Sequence, residues 1–173
     1  ATSMAAFAIG NRINGLILMP AMGIGNALST IVGQNLGANN VHRTKEAIRT
    51  SLFIATSLLV VGGIPLYIFS IQIVSIFTSD AEIISQGSFY MRIILLGLPL
   101  MASYSVLDGT FKGSGHTPMF MVLSMGRLWF FRLPLVYVAT QILGLGVHSI
   151  YYSMIISNAC ICLVGLLMYL SGK

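Results

Sequence analysis

In the stretch "YSVLDGTFK", Tyr104, Asp108 and Lys112 stand four residues apart. On a helix, positions i and i+4 share a face. If this stretch is helical, a phenol, a carboxylate and an ammonium therefore line up. Asp108 is the one acid inside a long apolar run. A carboxylate in such surroundings is costly and faces a cavity or a partner. Two readings follow. As a functional group, Asp108 would carry a proton or Na+ for coupled transport. As a structural group, it would pair with Lys112 and anchor the end of its segment. Tyr104 with Asp108 is the best candidate for a cavity-lining patch.

Arg127 and Arg132 flank Trp129 within another apolar run. Arginines in the middle of a lipid-facing segment would be expensive, so they should face protein or water, or snorkel from near an end. They are five positions apart, about 140° around a helix, so they cannot share one narrow face. One would anchor a helix while the other lines a cavity. Arg12 and Arg92 suit interface anchoring.

Other chemistry finds little footing. His42, His116 and His148 lie far apart in sequence, and neither H-E-x-x-H nor G-x-S-x-G occurs. "GSG" at Gly113–Gly115 lacks the lysine of a phosphate-binding loop. Cys160 and Cys162 are two apart and point different ways on a helix, which disfavours a disulfide or a paired metal site. No enzyme activity, metal or organic cofactor is expected.

The elements that position these residues follow from composition. Hydrophobic residues make up 56% of the chain and charged ones 8%, against about 25% charged in a soluble domain. Mean hydropathy is +0.89. Lipid is the expected solvent, and backbone in lipid must satisfy its own hydrogen bonds. The apolar runs lack strand-like alternation, so the expected fold is all-α and integral to a membrane. Five spans are expected, at roughly 5–36, 47–77, 86–111, 118–143 and 149–170. Pro20, Pro65, Pro99 and Pro134 sit inside the first four, three of them beside glycines. Proline kinks a helix, and bent, glycine-rich spans suit a protein that moves between two states.

The connectors sort by charge. His42, Arg43, Lys45 and Arg49 follow the first span, Lys112 and His116 the third, and Lys173 ends the chain. The connector with Asp80 and Glu82 has no basic residue, and neither does "GLGVHS". Basic short loops stay cytoplasmic, so Lys173 is expected inside and Ala1 outside, with at least one earlier span upstream. The net charge of +5 reads as topology. The basic residues are too scattered for a phosphate-binding face, so nucleic acid is not an expected partner.

Three motifs carry a resemblance. "VGQNLGANN" supplies Val32, Gly33, Gln34, Gly37 and Ala38, followed by Arg43, Lys45, Ala47 and Arg49. "LDGTFKGSGHTPM" supplies Gly109, Lys112, Gly113, Gly115 and Thr117, and "RLPL" begins at Arg132. In order and spacing they resemble the signatures of the MATE (multidrug and toxic compound extrusion) transporters. The resemblance implies five of the six helices of the C-terminal lobe, helices eight to twelve of twelve. It implies a partner in the missing N-terminal lobe and a small organic, cationic substrate. It also implies export in exchange for Na+ or H+ across the plasma membrane. In some relatives the coupling acid of this helix lies about two turns earlier, where this chain has Met101. That leaves three places for coupling: Asp108, the absent lobe, or no residue in this chain. A lipid-linked oligosaccharide flippase of the same superfamily, with Arg127 and Arg132 in its cavity, is the alternative within transporters. A membrane scaffold subunit without transport is the alternative outside them.

Overall fold

The computed structural model describes residues 2–126, 129, 132–138 and 148–170. Among these the chain forms α1 (Thr2–Gly37), α2 (Val41–Ile68), α3 (Ser70–Ser75), α4 (Ala81–Leu96), α5 (Leu98–Gly113), α6 (Thr117–Gly126), α7 (Leu133–Tyr137) and α8 (His148–Leu170). There is no strand among the described residues. Gly10–Gly37 of α1 and the whole of α2 are long and apolar enough to cross a membrane. Together α4 and α5 make a third span, bent by 52°. The span expected over 118–143 lies partly outside the described residues, and Arg127 with it.

Two of the four prolines sit in continuous helix. Pro20 lies inside α1 and Pro65 inside α2. The third span breaks at Gly97, two residues before Pro99. Gly97 N donates to Ile94 O at 2.9 Å, a tightened last turn of α4. Pro99 then opens α5, where its missing N–H costs nothing because that donor would be an orphan anyway. Pro134 likewise opens α7.

The charged stretch expected as a loop is mostly helical. Only Ala38, Asn39 and Asn40 separate α1 from α2, and His42, Arg43 and Lys45 sit in the first turns of α2. Two asparagines explain it. Asn39 adopts φ 56, a left-handed conformation that asparagine tolerates. Asn40 N then reaches back to Asn35 O at 2.8 Å and closes α1. The Asn40 side chain accepts from Arg43 N at 3.1 Å and opens α2. At the end of α5, Gly115 takes φ 81 and His116 N donates to Phe111 O at 2.9 Å, the same closure. At the other end of the bundle Asp80 caps α4, accepting from Glu82 N at 2.9 Å.

α1 is the central helix. It packs against α2, α4 and α5, and α5 also packs against α2 and α8. Leu28, Val32, Leu59, Val74 and Leu98 are buried in this core. The outward faces are apolar too: Phe53, Val61, Ile68, Leu96 and Val122 are exposed. Water would not tolerate so much apolar surface on a monomer, but hydrocarbon accepts it. Arg92 is anchored as well as placed: its Nε donates to Ser70 Oγ at 2.8 Å, and its guanidinium lies 5.7 Å from the Tyr67 ring centroid.

Candidate functional site

The site begins with the seam between α1 and α5. A Cβ added to Gly109 would land on the carbonyl oxygen of Gly25, and one on Gly113 would land on that of Ser29. A Cβ on Gly25 would meet Ser105 O. Gly25, Ser29 and Gly33 on α1 therefore face Ser105, Gly109 and Gly113 on α5, each set spaced by four. Lipid supplies no hydrophobic force between helices, so small residues that admit close backbone approach drive such contacts. Ser105 Oγ adds a hydrogen bond to Ala21 O at 2.7 Å. The seam fixes the rotation of α5, and with it the direction of Tyr104, Asp108 and Lys112.

These three side chains line one cavity of about 260 Å³. Leu18, Ala21, Met22 and Asn26 of α1 supply the other wall, with Met101 and Ser105 from α5. Lys112 Nζ lies 2.6 Å from Asp108 Oδ2, with side-chain exposures of 43% and 26%. Acid before base at i, i+4 is the favourable order, and a lysine in the last turn complements the helix dipole. Such a partly exposed pair is worth up to about 1 kcal/mol. Tyr104 Oη lies 3.0 Å from Ser124 Oγ, which ties α5 to α6. The cavity thus joins an ion pair, an amide and a phenol to an apolar wall containing two methionines. It is shaped to hold a small charged, partly apolar guest.

The remaining sequence-selected residues distribute as follows. Gly113 belongs to the seam, and a Cβ on Gly33 would lie 3.4 Å from Gly113 O. Gln34 is exposed, and its carbonyl accepts from Ala38 N at 3.0 Å. Gly37 ends α1, Arg43 caps onto Asn40, and Gly115 makes the positive-φ turn. Arg132 adjoins α7 and is not part of the cavity lining. The α1 wall, Leu18 to Asn26, lies outside the three motifs. Its signal lay in Ala21, Gly25, Ser29 and Gly33 repeating every four residues, which marks the face that meets another helix. Toward the other end of the bundle, Tyr90 Oη donates to Asn11 Oδ1 at 2.8 Å. Asn14 Oδ1 is buried without a hydrogen-bond partner, and nothing in the structure explains it. Cys162 donates to Leu100 O at 3.1 Å.

A helical bundle with apolar outer faces, a broken span and a charged cavity among its helices defines an all-α integral membrane protein. The MatE family model matches residues 1–138, and the chain belongs to that family. A probable multidrug resistance protein NorM from Thermotoga maritima is 31% identical over 173 residues, all of this chain and 37% of that protein. An FAD transporter from Shewanella oneidensis is 29% identical over 145 residues, 83% of this chain and 32% of that protein. Among solved structures, the MATE transporter ClbM in complex with Rb+ aligns with a TM-score of 0.90 at 26% identity. That alignment covers 96% of this chain and 39% of ClbM. The chain therefore spans about a third of the length of the relatives it matches.

Proposed function

We propose that this chain is part of a secondary transporter that exports small organic cations in exchange for Na+ or H+ by alternating access. The observation that carries the reading is the Asp108 carboxylate, set among apolar residues in a cavity between two membrane-crossing helices. A carboxylate there attracts a cation of either kind, and a site that holds only one at a time couples their movements. On this reading the chain is five helices of a C-terminal lobe, in the plasma membrane, with Lys173 cytoplasmic. The absent N-terminal lobe would close the cavity from the other side, and the lobes would rock about it. The break at Gly97 supports the reading, because bent spans are where such bundles change shape.

Efflux of a fluorescent organic cation from vesicles holding the full-length transporter tests this, under imposed Na+ or pH gradients. Gradient-driven efflux that falls at least tenfold in Asp108→Asn is expected, since one interaction worth about 1.4 kcal/mol changes a rate by that factor. Leakage independent of both gradients would defeat the exchange mechanism. Normal transport by the variant would remove Asp108 from its role.

A further inference from the structure

We propose that Lys112 is the resident cation of the Asp108 site: it neutralises the carboxylate while the cavity is empty and gives it up when a monovalent cation enters. The inference rests on the proposed cation site and adds to it a competitor built into the same helix.

The geometry separates this from ordinary helix support. An i, i+4 ion pair on a convex surface stiffens a helix and does nothing more. Here both members line a concave space, with Asn26, Tyr104 and Met22 around them. The pair fills a position that an entering cation would need, since Lys112 Nζ lies 2.6 Å from Asp108 Oδ2. The lysine also has somewhere to go. Its side chain is 43% exposed, it stands in the last turn of α5, and a four-carbon stem lets an ammonium swing out to water. Asp108 has no such freedom, because the seam at Gly109 pins the backbone next to it. One member is fixed and the other is on a tether, which is what exchange of one cation for another requires. The guest's shared chemistry is a single positive charge, whether on an inorganic ion or on an organic head group.

Equilibrium binding to the purified full-length transporter tests the proposal, with 22Na+ and tritiated tetraphenylphosphonium as separate arms at fixed pH. Removing the competitor in Lys112→Met should tighten binding of at least one cation about two- to fivefold, the range for losing a partly screened ion pair. Lys112→Arg, which keeps a tethered charge, should stay close to wild type. In Asp108→Asn/Lys112→Met the gain should vanish. Lys112→Met binding neither cation more tightly than wild type would overturn the proposal, as would a gain that survives in the double variant. A wild type that shows no gradient-driven efflux, together with tighter binding by Lys112→Met, would remove the antiport reading and leave the resident cation standing.

Discussion

Asn39 and Asn40 are neighbours with unlike tasks. The first adopts a backbone conformation that L side chains avoid, and the second lends a side-chain oxygen to an orphan N–H. Their substitutions should differ accordingly. Asn39→Gly should be neutral, because glycine reaches positive φ without strain. Asn40→Ala should cost about 1 kcal/mol through loss of the cap, and Asn40→Gly only a few tenths. Denaturant unfolding of the purified protein, followed by helical circular dichroism, measures all three. At this scale the charged face was legible: Tyr104, Asp108 and Lys112 follow from spacing alone. Their partners Met22 and Asn26 were not, because nothing local in the chain says which turn of α1 lies opposite which turn of α5.

At the scale of elements, the glycines beside the prolines signalled a bend, yet Gly25 meets Ser105 and Gly63 meets Leu98, while Gly15, Gly23 and Gly62 face open space. Gly25, Gly109 and Gly113 sit where two helix backbones touch, and a composition rich in glycine reads the same in either role. Only pairing the repeat in α1 with the repeat in α5 distinguishes them. Gly109→Val should drive α1 and α5 apart at a cost of about 3 kcal/mol or more, since overpacking leaves the backbone no room to yield. Gly23→Ala, on α1 with nothing within 4 Å of its Cβ, should behave as wild type. The fraction of each variant that elutes as a folded, monodisperse species in detergent reads the difference. The bend itself belongs to Gly97 and Pro99, while α1 and α2 continue past their own prolines because a membrane helix can lose one hydrogen bond without parting.

At the scale of the whole molecule, hydropathy and the alternation of basic and non-basic connectors carry the reading. Thiols introduced at Asn40 and Ser79, after Cys160 and Cys162 are replaced by alanine, should react with impermeant reagents from opposite sides of the membrane. Labelling of both from one compartment would refute the topology. The break at Gly97 divides the third span into unequal partners. Below it, α5 is welded to α1 without a side chain's width between them. Above it, α4 shares α1 but carries its own load from α3. A torque on α5 meets the backbone of α1 at Gly109 and Gly113 before it can turn that half about its own axis, so it tips the two together as one plank, with the glycine as the knuckle.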